Sequence, residues 1–349
     1  MTCPLSGGTS WSARRVDHKV APLDAGQGGA SPRVQAMRVL IALGGNAMTG
    51  PDGSATPEDQ DRAVGVAMRR VADLVAGGVE VVLTHGNGPQ VGNLLVKNEL
   101  AAHVVPPVPL DWCGAQTQGT IGFLILDALD KALADRGVDR RTATVVTRTL
   151  VDGEDPGFAH PTKPVGRYLP EDQARALIEH GQVWEDRGAK GWRRVVASPE
   201  PITVLDASTI TTLADSGYVV VGAGGGGIPV VRDPDGTLRG VEAVIDKDLA
   251  AALLARDTGA EVLVIATDVE HVVLGYGTDD ERPLHRATPE EMRAIAHEQK
   301  FASGSMGPKV EAAVRFVESG GRRAVITSLE MIEEAVHGRA GTVIERGRS

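Results

Sequence analysis

"MRVLIALGG", residues 37–45, is an aliphatic run that ends in two glycines. It reads as a buried parallel strand feeding a loop. A helical pattern follows through Ala63, Val66, Ala67, Val71 and Leu74, and Gly77-Gly78 stand where such a helix should stop. "VEVVLT" (79–84) repeats the strand, "HGNG" (85–88) the loop and "PQVGNLLVKNELAA" (89–102) the helix, with Pro89 at a first-turn position. Further strands are legible at "TATVVT" (142–147), "YVVVGAG" (218–224), "EVLVIAT" (261–267), "RAVIT" (323–327) and "GTVIE" (341–345), with helical patterns between most of them. This alternation predicts an α/β fold with a largely parallel sheet covered on both faces.

Two segments break the rhythm. Residues 1–36 are rich in Gly, Ser, Pro and Arg without periodicity and read as a disordered leader. From about Asp152 to Pro201 come proline-rich turns, a short helix near Glu171–His180 and "QVWEDRGAKGWRRVVAS" (182–198), two apolar-bearing arms around Gly188–Gly191 that suggest a hairpin. This stretch is expected to protrude from the sheet as a lid or small subdomain.

The 349 residues carry a net charge of −10 and 3% aromatics. That balance disfavours nucleic acid and anionic membranes as partners, so an anionic ligand needs a local positive cluster. No apolar run reaches membrane-spanning length and no hydrophobic signal region is present, which predicts a cytoplasmic protein. Cys3 and Cys113 form no CxxC pattern, and Cys113 reads as a small packed residue.

Eight of the 36 basic residues are lysine, and three of these fall in the most irregular motifs: "PTKPVG" (161–166), "VIDKDLAAALL" (244–254) and "SGSMGPKVEAAVRF" (303–316). A lysine is a compact charge with rotatable donors, suited to following a phosphoryl group between two oxygens. "EAVI" (242–245) reads as a strand end and "DLAAALLA" (248–255) as a helix, which puts Lys247 in the first turn, where a cation opposes the helix dipole. It is either a solvated neighbour of an N-cap formed by Asp246 or a ligand for a phosphate, directed by Asp248. Lys309 follows a glycine-rich turn entering a helix, a setting that offers N–H groups to an anion but that also accommodates an ordinary solvated lysine. The loops at Gly44-Gly45-Asn46 and His85-Gly86-Asn87-Gly88 lie at the strand ends where α/β proteins bind ligands. His85 is either a general base or a hydrogen-bonded structural histidine. "GAGGGGIPV" (222–230) contains GxGxxG, but the residues after it continue extended, so the dinucleotide fingerprint lacks its helix. A GxxxxGK[ST] phosphate loop and a metal-ligand spacing are both missing from the sequence.

Together "ALGGNA", "THGNGPQVGN", "GAQTQGTIG", "PTKPVG", "RRVVASPEP", "GGGGIPV", "EAVIDKDLA", "FASGSMGPKVEA" and "GTVI" resemble the carbamate kinases of the amino acid kinase superfamily, from about Met37 to Ile344. The resemblance implies a three-layer αβα sandwich with an open, mainly parallel eight-stranded sheet and a small protruding subdomain. It implies a lobe at 37–230 for carbamate or carbamoyl phosphate, a lobe at 231–349 for the nucleotide, and a homodimer. The implied reaction is reversible phosphoryl transfer between ATP and carbamate, with Mg²⁺ accompanying ATP or ADP and bridging the phosphates. Such enzymes usually make ATP in fermentative arginine or purine breakdown. By motif, Gly44, Gly45 and Asn46 would hold the phosphoryl group and Gly86, Asn87 and Gly88 the carbamate end. Lys163, Lys247 and Lys309 would neutralise the phosphoryl oxygens and Asp248 would orient the lysines. Asp268, Val269, Tyr276, Ala302, Ser303 and Met306 would border the nucleotide. A superfamily kinase with another carboxylate or phosphate acceptor and a non-catalytic nucleotide sensor are the alternative readings.

Overall fold

The structure is a computed structural model that describes residues 36–49, 56–179, 181–299 and 306–347. The proposed leader, apart from Ala36, lies outside the described residues. In chain order the elements begin β1 (Arg38–Leu43), α1 (Pro57–Ala76), β2 (Glu80–His85), α2 (Gly88–Ala101), α3 (Leu110–Ala134), β3 (Thr142–Thr144) and β4 (Arg148–Val151). The excursion contributes α4 (Pro156–Ala159), β5 (Lys163–Leu169), α5 (Glu171–Glu179), β6 (Val183–Asp186), β7 (Trp192–Val196) and β8 (Pro201–Val204). Next come α6 (Ala207–Asp215), β9 (Val219–Val221), β10 (Ile228–Arg232), β11 (Leu238–Gly240), α7 (Lys247–Asp257), β12 (Val262–Thr267), β13 (Val272–Leu274), β14 (Arg282–Leu284) and β15 (Arg286–Ala287). The last elements are α8 (Pro289–Gln299), α9 (Met306–Glu318), β16 (Arg323–Ser328), α10 (Ile332–Val336) and β17 (Thr342–Glu345).

Eight strands form one sheet in the order β15-β17-β16-β12-β1-β2-β9-β3. Every neighbouring pair is parallel except β16 with β17. Alternate residues of each strand point to opposite faces, and both faces are apolar. Val39, Ile41 and Leu43 pack with α1, α3 and α10, while Leu40 and Ala42 pack with α6, α7 and α9. The result is the expected three-layer sandwich. Helix α1 starts as its sequence dictates: Pro57 occupies the first turn and the Thr56 side chain accepts from the Asp59 N–H at 3.2 Å. Gly77 follows as its C-cap and Gly78 takes φ +84°. Among the described residues no helix is long and apolar enough to cross a membrane.

Three local readings change. "TATVVT" is a main-sheet strand only to Thr144; the chain then crosses to a second sheet, ordered β11-β10-β4-β8. Buried Gln118 of α3 holds the crossing, accepting from Thr147 N–H at 2.8 Å and donating to the carbonyls of Thr147 and Gly224 at 3.1 and 3.0 Å. The strand ending expected at "EAVI" is instead an irregular run with one bridge, Ala243 to Ala197, in which Ala243 and Ile245 are buried. "PTKPVG" forms the start of β5, the edge strand of a three-stranded sheet β5-β7-β6 that makes up the protruding subdomain. Proline is tolerated at such an edge. The β5–β7 register shifts between Val165 and Tyr168, where Gly166 takes φ +68°. Gly166 meets Gly92 of α2 so closely that a Cβ on Gly92 would lie 3.4 Å from the Gly166 Cα.

Candidate active site

The strand ends β1 and β2 deliver two glycine loops to one place. Gly44 N–H donates to Ala266 O at 2.9 Å and Gly86 N–H to Leu43 O at 2.9 Å, which continues the parallel ladder into the loops. A Cβ on Gly44 would stand 2.8 Å from the Ala266 carbonyl, so this position excludes a side chain. The stem of Lys247 lies over Gly86, 3.6 Å from where a Cβ would be. Asn87 sits at the start of α2, but its buried amide donates to Thr117 Oγ1 at 2.9 Å and abuts Gly225, so it does not cap the helix. Gly88 is exposed at the first position of α2, and Asn46 lies in the 3₁₀ turn Gly45–Met48.

His85 is not in the cleft. It is 1% exposed, its Nδ1 pairs with Gly86 O at 2.9 Å, and its ring fills the space that a Cβ on Gly224 would need. Burial, reinforced by the nearby Lys247 charge and opposed by the Gly86 carbonyl, pushes its pKa down to about 4. A neutral buried histidine contributes stability that is present above its unfolded pKa and lost as pH falls from about 6.5 towards 4. Stability should therefore fall by about 2 kcal/mol between pH 7 and pH 5. Urea titrations at the two pH values test this against His85→Asn, whose loss should be much smaller; equal losses would assign the acid sensitivity elsewhere.

Three lysines from distant segments converge. Lys247 is the first residue of α7, Lys309 lies in the first turn of α9, and Lys163 begins β5 of the protruding subdomain. Two aspartates receive them. Lys247 donates to Asp248 Oδ1, Lys309 to Asp248 Oδ2 at 3.2 Å, and Lys163 to Asp246 Oδ2 at 2.8 Å. Asp248 is 3% exposed; burial alone would raise its pKa, but the two ammonium groups hold it below the usual carboxylate range. Asp246 is the N-cap of α7, and its Oδ1 accepts from Asp248 N–H at 2.9 Å and Leu249 N–H at 3.4 Å. The N-cap is therefore realised, but Lys247 is turned inward onto Asp248, its side chain 14% exposed, and is not the solvated neighbour of that cap.

Two cavities meet at this group. One, about 650 Å³, is lined by the Gly86–Gly88 loop, α2, Lys163 to Arg167 of β5, Arg193, and the Asp246–Asp248 turn. The other, about 400 Å³, is lined by Gly44, Ala266, Thr267, Asp268, Ser328, Leu329 and Glu330. Gly45, Lys247 and Lys309 line both. The structure thus brings Gly45, Gly86, Asn87, Gly88, Lys163, Lys247, Asp248 and Lys309 to the first cavity and Gly44 and Asp268 to the second. Neither Val269 nor Tyr276 lines the second cavity, and Tyr276 is 82% exposed. Met306 opens α9 and packs on the sheet's second core; Ala302 and Ser303 lie outside the described residues. Sequence reasoning did not single out Asp246, Arg167, Arg193, Ser328 or Glu330 as site residues. Asp246 was legible as a cap, but its second oxygen faces a lysine 83 positions earlier, which no local pattern encodes.

The sequence profile of the amino acid kinase family matches residues 37–328. A carbamate kinase of Pyrococcus furiosus is 45% identical over 310 residues, 88% of this chain and 98% of that protein. A carbamate kinase of Thermococcus kodakarensis is 47% identical over 314 residues, covering 88% and 99%. The solved structure of carbamate kinase from Giardia lamblia bound to AMP-PNP superposes with a TM-score of 0.85 at 40% identity, covering 90% of this chain and 99% of that one. A shared order of motifs, near-complete mutual coverage and the same three-layer architecture place this chain in the amino acid kinase family, within its carbamate kinase branch.

Proposed function

We propose that this kinase transfers the γ-phosphoryl group of ATP reversibly to carbamate, giving ADP and carbamoyl phosphate. A carbamate oxygen forms a bond to γ-phosphorus as the bond to the β,γ-bridging oxygen breaks, and ADP leaves with that electron pair. The acceptor is already ionised, so no general base is needed, which agrees with a buried, neutral His85 outside the cleft. The work left to the protein is positioning and charge stabilisation. Carbamate would occupy the cavity beside Gly86–Gly88, the nucleotide the cavity beside Asp268, and the migrating group their common wall at Gly45, Lys247 and Lys309. That shared lysine-bearing wall is the observation that carries the reading.

Mg²⁺ enters with the nucleotide. Among the described residues no group of three or more His, Cys, Asp or Glu side chains could hold a metal ion, whereas Asp268 and Glu330 line the second cavity and would offer carboxylate oxygens to the water shell of a nucleotide-bound ion. The ion would screen the phosphate charge. The enzyme would run towards ATP, because carbamoyl phosphate is a mixed anhydride of high transfer potential, and would serve arginine or purine breakdown. ATP formation from ADP and carbamoyl phosphate, followed by an acceptor screen with labelled ATP, tests the reading. No ATP from carbamoyl phosphate, or faster transfer to another carboxylate, would reject it.

A homodimer is proposed on the exposed apolar side chains Trp112 and Phe123 of α3 and Val104 and Val105 just after α2. Sedimentation at micromolar concentration should give twice the chain mass, and Phe123→Glu should shift it towards monomer. A monomeric wild type would reject the dimer.

A further inference from the structure

Asp246 divides two tasks between its oxygens. Oδ1 closes the amino end of α7, the helix that carries Lys247 and Asp248, and Oδ2 holds the ammonium of Lys163 on the protruding subdomain. Capping needs only the first oxygen, and asparagine caps as well as aspartate. The second bond is an ion pair with side chains 33% and 12% exposed, set at the edge of a cleft that already contains Lys247 and Lys309. Without an anion in the cleft these cations repel Lys163, and the subdomain that bears it rests on α2 partly through the bare backbones of Gly92 and Gly166. A neighbouring carboxylate is what keeps the third ammonium in place.

We infer that Asp246 is a positioning residue for the phosphoryl transfer proposed above, holding Lys163 beside the Lys247–Asp248–Lys309 group so that the anionic substrate meets all three ammonium groups already gathered. The inference rests on that reading of the site. Because Asp246 is joined to the same short turn as Lys247 and Asp248, it also fixes the subdomain relative to the helix end it must serve.

The test combines kinetics with a chemical probe. In the full-length protein, Asp246→Asn keeps the cap and should leave the melting temperature near wild type, while kcat for ATP formation falls about tenfold, the scale of one charge-assisted hydrogen bond. In a Lys163→Ala background the same substitution should cost less than twofold further, because the group that Asp246 holds is gone. Asp246→Ala, which also removes the cap, should lose stability in both backgrounds. Independently of turnover, reductive methylation read by peptide mass spectrometry should modify Lys163 several-fold faster in Asp246→Asn than in wild type. Unchanged kcat and unchanged Lys163 labelling in Asp246→Asn, or full multiplicative losses in the double variant, would overturn the inference and leave Asp246 a cap alone. A wild type that makes no ATP from carbamoyl phosphate would instead sink the functional reading, and the labelling result would still decide the role of Asp246.

Discussion

Replacing Asp248 by asparagine should lower turnover by roughly 10³-fold, the scale reported by deleting a preorganised electrostatic group, and destabilise the ligand-free enzyme by about 3 kcal/mol. The carboxylate is buried and accepts from Lys247 on one oxygen and Lys309 on the other. Asparagine occupies nearly the same volume but removes the negative charge that the two ammonium groups share. Two like charges about 4 Å apart at an effective dielectric near 20 repel by roughly 4 kcal/mol, and more widely spaced ones by less. The repulsion should be relieved when a phosphate-bearing ligand binds, so carbamoyl phosphate should raise the melting temperature of Asp248→Asn by more than it raises that of wild type. The wild-type carboxylate titrates below its usual range, so its contribution is fully present above that range and is lost only as pH falls through the depressed value. Acid loss between pH 7 and 5 should therefore persist in Asp248→Asn, since it belongs to His85. Turnover within tenfold of wild type would show that the lysines need no shared anchor.

Lys309→Ala should also lower kcat by roughly 10³-fold, with smaller changes in KM. The ammonium lines both cavities, where on the proposed reading charge would develop on the phosphoryl oxygens as the group passes. Stability should suffer less than in Asp248→Asn, because Asp248 keeps Lys247 as a partner. Lys309→Arg should not restore activity: a planar guanidinium needs more room than a side chain 11% exposed is given, and its fixed fork follows a moving group less well than a rotatable ammonium. Steady-state rates in both directions and thermal melts measure these quantities. A variant retaining a tenth of wild-type turnover would contradict the placement of the transferring group at this wall.

The fold was legible where local pattern and tertiary demand agree. Residues 37–45 are apolar on both strand faces because both faces are covered, and the glycines after them are needed because Ala266 O leaves no space for a Cβ. The core of the site was legible for a related reason: a lysine at a helix start works against the helix dipole and needs a separate cause. What stayed hidden depends on long-range geometry. Helix α3 runs unbroken through Gly114, Gly119 and Gly122, which weaken a helical pattern in the sequence, yet Gly122 is required because a Cβ would meet Thr144 Oγ1 at 2.6 Å. "TATVVT" reads as one strand because its side chains suit one, and only the anchor from Gln118 shows that the chain changes sheets there. The second cavity was the least readable, since Ser328 and Glu330 come from the end of β16 and the turn after it, far in sequence from Gly44.

The two cavities share three residues and otherwise have different walls. On the proposed reading, carbamate and nucleotide would therefore share only those three residues, each resting on walls of its own. Neither would then have to bind before the other, and a spent nucleotide could be exchanged while the small acid stayed seated.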